Sequence, residues 1–310
     1  MVYNIYKFTH KLAKSMINNL PISDSKKAFI SAKLSGMFPI KKVLQKAEIP
    51  NPIKFQEISL FYRDKDIGDL GIVNCLLRGE YYEPEVVRII KEKVVPEEIF
   101  IDCGAHIGYH SIIAARMVGI KGKVFAFEPF DESYKLLKRN IALNRLQGII
   151  VPIKKAVWSS KTTLKLIVPP QSSVSVKECK SFDTEGLTRS NVKFIEVEAV
   201  SLDDFISQQK VSRVDWIKLD IEGAEREAFI GARYLIRNNE KIRIICEFNY
   251  NNLKKLSIKP LEFFEPLLSE GIRNWYILYP QKEKPISIPS ELERLVSIAK
   301  YKNLNLLGMR

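Results

Sequence analysis

The chain has 310 residues, 46% hydrophobic and 27% charged, enough to bury the core of one large domain or of a domain with an appendage. No apolar run approaches the ~18–20 residues of a membrane-spanning helix, and no apolar stretch with a small-residue cleavage site marks the start. Net charge is +13, and the four cysteines, Cys75, Cys103, Cys179 and Cys246, stand apart without a C-x-x-C pair. That spacing argues against a disulfide framework or a zinc site and predicts a reducing, cytoplasmic setting. Cys103 and Cys246 fall in apolar runs and are expected in the core.

Residues 3–20 carry Ile5, Phe8, Leu12, Met16 and Leu20 about one helical turn apart, which predicts an amphipathic helix. Ser23 or Asp24 caps a second helix to about 35, and Pro50-Asn51-Pro52 ends this region. Before residue 56, lysines 7, 11, 14, 26, 27, 33, 41, 42, 46 and 54 face only Asp24 and Glu48. We expect a basic helical appendage over 1–55. The charge reads first as a solvated surface and otherwise suits a nucleic acid, an anionic membrane surface or an acidic partner. The helices are expected to dock on the core, with dimerisation or membrane contact through 3–20 as alternatives.

The second division, 56–290, begins with strand-like pieces and turns over 57–74 (Ile58, Leu60, Tyr62, then Asp66, Gly68, Asp69, Gly71). Pro84 starts a helix to about 93. Strands are expected at 98–102, 123–128, 149–157, 214–220, 242–247 and 275–279, with helices after Ser111, over 131–144, 201–208, 223–237 and 260–270. Residues 160–200 break the rhythm and predict a hairpin-like insertion with a mobile polar loop at 169–190. Leu292, Leu295, Val296 and Ala299 share a helical face in a tail at 291–310. Strands alternating with helices predict a mainly parallel sheet covered on both faces.

Four of these strands end in an acid: Asp102, Glu128, Asp220 and Glu247. Open α/β sheets bind ligands beyond the carboxyl ends of their strands. The first acid opens the glycine turn Asp102-Cys-Gly104-Ala-His-Ile-Gly108, and Glu128 follows Gly108 by 20 residues, at ribose-binding distance. The middle glycine of the dinucleotide fingerprint and the G-x-x-x-x-G-K phosphate loop are missing. A ribose ligand without phosphate fits best. S-adenosylmethionine (SAM) is one, and its sulfonium charge suits an acidic site.

The quoted turn, Phe127-Glu128-Pro129, Ser201-Leu-Asp-Asp204, Gly79-Glu-Tyr-Tyr-Glu83-Pro84 and above all Lys218-Leu-Asp220-Ile-Glu222-Gly223-Ala-Glu225 resemble the FkbM family of class I SAM-dependent methyltransferases, over about 60–250. The resemblance implies a Rossmann-like fold with a mainly parallel, seven-stranded sheet. It implies that Asp102, Gly104, Ala105, His106 and Gly108 wrap the methionine end of SAM. Glu128, with Pro129 beside it, would hold the ribose, Ala156-Val157 would lie by the adenine, and Asp220 by the sulfonium. It also suggests O-methylation of a sugar, lipid or small-molecule hydroxyl. Asp220, Glu222, Glu247 or His110 is then the candidate base. Glu222 and Glu225 are equally favourable as acids in a first helical turn. Lys218, in phase with Asp220, is expected to pair with a neighbouring acid. No [ND]-P-P-[YF] stretch follows the 214–220 strand, which counts against amino methylation of a nucleobase. Three carboxylates at one edge suit Mg²⁺, though their spacing demands no metal. Two other readings stay open: an RNA methyltransferase using the basic appendage, and a membrane- or partner-docking protein without turnover.

Overall fold

The computed structural model describes residues 51–64, 66–168, 175–176 and 193–310. The two helices expected before residue 50 and most of the 169–190 loop lie outside them, as does Cys179. Strands β1 (Ile53–Phe55) and β2 (Ile58–Leu60) form a small hairpin. Helices α1 (Ile67–Leu77) and α2 (Pro84–Lys93) follow. The sheet then opens with β3 (Ile99–Cys103), α3 (Tyr109–Val118), β4 (Lys123–Phe127), α4 (Asp131–Leu143) and β5 (Ile150–Ile153).

The expected insertion is a separate sheet. Strands β6 (Ala156–Val157), β7 (Thr162–Val168), β8 (Ser175–Val176) and β9 (Lys193–Val200) pair in the order β6-β9-β7-β8. The main sheet resumes after α5 (Leu202–Gln209) with β10 (Trp216–Leu219), α6 (Glu225–Ile230), α7 (Arg233–Asn238) and β11 (Arg243–Phe248). Helices α8 (Tyr250–Lys255) and α9 (Pro260–Ser269), the hairpin β12 (Asn274–Tyr279) and β13 (Lys282–Ile286), α10 (Leu292–Ala299) and β14 (Leu304–Met309) complete it. The order across the sheet is β13-β12-β14-β11-β10-β3-β4-β5.

Strands β5, β4, β3, β10 and β11 run parallel, β14 runs antiparallel to β11 and to β12, and β13 folds back along β12. The sheet therefore has eight strands rather than the expected seven. The additional strand is the edge hairpin partner β13, whose Lys282-Glu-Lys-Pro-Ile286 carries little apolar patterning. Pro and charge are typical of edges, where they block further pairing. Strand β14 was not anticipated either. It lies between β11 and β12, next to the tail helix that was.

Period-two alternation buries both faces. Ile101, Ile217 and Ile244 pack with the α5–α7 and α9–α10 side, whereas Phe100, Trp216 and Ile245 pack with α1–α4. Helix α2 buries Val86, Val87, Ile89 and Ile90 against that second side, each worth about 1.5–3 kcal/mol relative to exposure. Cys103 and Cys246 are core residues. Among the described residues no helix is long and apolar enough to cross a membrane.

Three local expectations change. The one strand expected over 149–157 divides into β5 of the main sheet and β6 of the separate sheet, where Ala156 and Val157 pair with β9 instead. The turns expected around 66–71 are the start of α1, whose N-cap Asp66 accepts the Asp69 amide. Gly68 and Gly71 had depressed its apparent helix propensity, and packing overrides that deficit. The single helix expected over 223–237 divides at 231–232. A Cβ on Gly231 would meet the Trp158 carbonyl at 2.2 Å, so the break lets the end of β6 approach.

Candidate active site

The carboxyl ends of the parallel strands border a cleft of about 230 Å³. Its walls include Gly104, Ala105 and His106 from the first turn, Glu128 and Pro129 after β4, Asp220, Ile221 and Glu222 after β10, Glu247 of β11, and His110 of α3. Most of the expected site residues thus converge. Four do not line the cleft.

Asp102 is 1% exposed and lies behind it. It accepts a 2.6 Å hydrogen bond from Ser111, and Lys218 Nζ stands 3.7 Å from its other oxygen. Strand register puts Lys218 directly opposite Asp102, and Lys218 reaches Asp220 at 3.5 Å. The expected ion pair of Lys218 is therefore a buried bridge between two acids. Burial opposes the lysine's charge, but Asp220, Asp102 and Glu83 together raise its pKa. Burial raises the Asp102 carboxyl, with Lys218 opposing.

Gly108 is the left-handed N-cap of α3, packed under Leu137. Ala156 and Val157 are buried in β6, which pairs with β9 and turns their side chains into apolar clusters.

Gly104 has φ +82, and a Cβ there would lie 2.0 Å from the Asp220 carbonyl oxygen. The two loops at the cleft floor are therefore in backbone contact. Glu128 is 7% exposed, and its two oxygens accept the amides of His106 (2.9 Å) and Phe130 (2.8 Å). Each carboxylate oxygen has a second lone pair for a ligand hydroxyl. Burial raises this carboxyl, while His106 pulls it back.

His106 sits at φ +53, a conformation non-glycine residues seldom adopt. Its Nε2 stands 2.9 Å from Asp69, which also takes two side-chain bonds from Arg63, each 2.9 Å long. Arg63 follows β2, where the backbone of Ser59 and Phe61 is clamped by Asn144, the C-cap of α4, and by Asn140 within it. Asp66, Asp69 and His106 have ligand atoms within 4.8 Å of one another, and Arg63 is the cation among them. The sequence offered no signal for this cluster beyond the residue types.

The cluster makes a pH prediction. Burial would raise Asp69, but hydrogen bonds from Arg63 and His106 outweigh it and hold the carboxyl at about 2. A depressed folded value stabilises above the ordinary value of 3.8 and is lost as pH falls toward about 2. Burial lowers His106 and Asp69 more than reverses it, so the imidazolium's contribution is lost as pH rises through that raised value. Asp69→Asn is expected to cost about 2 kcal/mol at pH 6, with the deficit shrinking below pH ~4. Urea unfolding at several pH values checks this. A deficit constant down to pH 2 refutes it.

Past β10 the chain folds over Glu225, whose carboxylate accepts the amides of Ile221 and Gly223, both at 3.0 Å. Glu225 is a loop-holding residue, and burial pushes it up to about 7. Glu222 has φ +56, faces the cleft, and accepts from Asn252 at 3.3 Å. Burial, then Asp220, raises it. Glu247 accepts from Asn303 at 2.7 Å, and burial among acids pushes it up to about 9. His110 is 7% exposed, and burial plus Lys218 hold its imidazole neutral. Sequence reasoning missed Tyr82, Glu83 and Asn303 as wall residues. Only the Gly79–Pro84 stretch carried a hint of the first two.

Curated relatives match part of the chain. The hexuronic acid methyltransferase AglP of Haloferax volcanii is 26% identical over 155 residues, 50% of this chain and 57% of that protein. The methyltransferase sdnD of Sordaria araneosa is 31% identical over 160 residues, 44% of this chain and 61% of that one. The chain thus spans less than two thirds of either relative. The crystal structure of methyltransferase FkbM from Methylobacillus flagellatus KT aligns with 15% identity and a TM-score of 0.42, covering 77% of this chain and 52% of that chain. Residues 102–270, from the acid before the glycine turn to the end of α9, match the methyltransferase FkbM domain, and the chain belongs to that family.

Proposed function

We propose that the protein is a SAM-dependent methyltransferase acting on a hydroxyl of a sugar, lipid or other small molecule. The observation that carries this is Glu128: a buried carboxylate fixed by two backbone amides at the rim of the glycine turn, with lone pairs to spare. It is the acid expected to bind both hydroxyls of a ribose. The donor set also fits the rest of SAM. Gly104 leaves room only for backbone at the floor, and Asp220 and Glu222 line the wall beside it. Among the described lining residues Lys218 is the one fixed cation, and it is already shared by two acids. A sulfonium is welcome in such a field and a polyphosphate is not.

When bound, SAM supplies an electrophilic methyl group on an excellent leaving group. The chain's part is to hold an acceptor oxygen in line and to take its proton. Positioning contributes about 7–11 kcal/mol in well-oriented reactions. The name of the Haloferax relative supports a sugar acceptor. The acid-rich wall favours a sugar or lipid hydroxyl over a nucleic-acid backbone.

Calorimetric titration is expected to show SAM binding and no NAD binding. Absence of SAM binding at about 100 μM protein refutes the proposal. Glu128→Ala is expected to lose about 100-fold in SAM affinity, two charge-assisted bonds being removed. Wild-type affinity in that variant overturns the ribose assignment. Labelled SAM offered glycan, lipid and RNA fractions then identifies the acceptor class.

A further inference from the structure

Five carboxylates border the cleft, and four of them are engaged. Glu128 takes two backbone amides, Asp220 faces Lys218, Glu222 takes Asn252 and Glu247 takes Asn303. Glu83 differs. Its Oε1 accepts from Asn305 at 3.2 Å, but its Oε2 is buried with no hydrogen-bond partner. His110 Nε2, 3.5 Å away, is buried and lacks one too. Both residues line the cleft. Buried polar atoms are almost always paired in folded proteins, and exceptions at a cleft wall mark a place kept for a ligand.

The backbone is committed to this position. Glu83 has φ 44 and ψ 61, left-handed values that cost energy in any residue but glycine. Its carbonyl accepts the Val86 and Val87 amides at the start of α2, and the Tyr82 amide donates to the Tyr109 hydroxyl. Strain held this firmly is common at functional sites.

We propose that Glu83 is the catalytic base, taking the acceptor hydroxyl's proton on Oε2, with His110 and Asn305 as its positioning partners; this rests on the methyl-transfer reading above. The acceptor oxygen bonds to the methyl carbon, the carbon–sulfur bond breaks with its electron pair left on sulfur, and the hydroxyl proton passes to Glu83. The charge balances: sulfonium becomes thioether and carboxylate becomes carboxylic acid.

The electrostatics agree. Burial, then Asp220, pushes Glu83 up to about 7, with Lys218 and Asn305 restraining the rise and Glu85 adding to it. A base poised near the working pH is the efficient one. Glu247, pushed up to about 9, keeps its proton at neutrality. His110 is too weakly basic. Asp220 is tied to Lys218. Tyr82 and Tyr109, also in contact, stay protonated because burial raises both.

The test uses Glu83→Gln in the full chain. SAM titration is expected to stay within about threefold of wild type, while methyl transfer from labelled SAM to methyl β-glucuronide or methyl β-glucoside falls about 10²–10⁴-fold. The wild-type rate should rise with pH through about 7 and level off. That rising limb should vanish in Glu83→Gln and survive at reduced height in Glu83→Asp. Asn305→Ala should move it to higher pH, since that amide stabilises the carboxylate. A Glu83→Gln variant with the wild-type rate or limb overturns the assignment, as does one that no longer binds SAM. Failure of wild type to bind SAM refutes the function reading instead. If neither sugar turns over, ¹³C carboxyl titration decides: a signal with midpoint near 7, absent from Glu83→Gln, supports the base, and an ordinary carboxylate midpoint overturns it.

Discussion

Gly104→Ala is expected to abolish measurable SAM binding and to destabilise the fold by about 2–6 kcal/mol. Two costs add. The residue has φ +82, where a side chain is strained, and the new Cβ would fall 2.0 Å from the Asp220 carbonyl oxygen and 3.0 Å from its carbon. Backbone cannot swing aside as a side-chain tip can, so one of the two cleft loops must move. Either movement displaces Asp220 or Glu128's hydrogen-bond partner His106. Gly119→Ala separates the costs, because Gly119 has φ +68 and nothing within 4 Å. It should lose only the strain cost of about 1–3 kcal/mol, because Gly119 has φ 68 and ψ −171, and leave SAM affinity intact. Chemical denaturation and calorimetry read both variants. Equal losses in the two would show that the close approach contributes nothing.

Lys218→Met is the second large effect, about 3–5 kcal/mol at neutral pH. The lysine is 2% exposed and Asp102 1%, so its removal strands a buried carboxylate with Ser111 alone. The loss should depend on pH in a definite direction. Burial already raises the folded value of Asp102 above 3.8, and without Lys218 it rises further. An acid raised in the folded state favours folding in its protonated form, so the variant weakens as pH climbs through that raised value and recovers in acid. Lys218→Met with Asp102→Asn should regain most of the stability, since the two residues share one interaction. A pH-independent deficit, or no recovery in the double variant, rules out this account.

The parallel half of the sheet was legible from the chain. Runs such as Ile99-Phe100-Ile101 and Trp216-Ile217 are apolar without alternation because both faces are covered, and each ends at an acid or glycine where the backbone leaves the sheet. The lysine–acid bridge was half legible, since phase along β10 pointed to a pair but only register names Asp102. The role of Asp102 was harder. An acid at a strand end reads as a ligand-facing residue, yet it looks inward because Lys218 meets it there. Helix α1 hid behind its two glycines. Strand β14 hid because Leu304-Asn-Leu-Leu-Gly-Met309 interrupts its apolar pattern with Asn305 and Gly308. Its partner β11 (Phe248 opposite Leu304) is 56 or more residues upstream and β12 (Ile277 opposite Leu306) 29 or more, both beyond any local window. That same long-range pairing sets Asn305 against Glu83 and Asn303 against Glu247, so these contacts leave no trace in spacing.

The place of β14 also sets a schedule. Chains grow from the amino end, and β11 and β12 are synthesised long before residues 304–309 arrive to lie between them. Until then β11 is unpaired along that flank. The amides that hold Glu83 and Glu247, from Asn305 and Asn303, are likewise still to come. A nascent chain can therefore close the glycine turn around Glu128 while the wall carrying Glu83 and Glu247 still lacks Asn303 and Asn305. The Glu128 end of the cleft can form first, and the wall around Glu83 and Glu247 is completed by the last strand of this sheet to be synthesised.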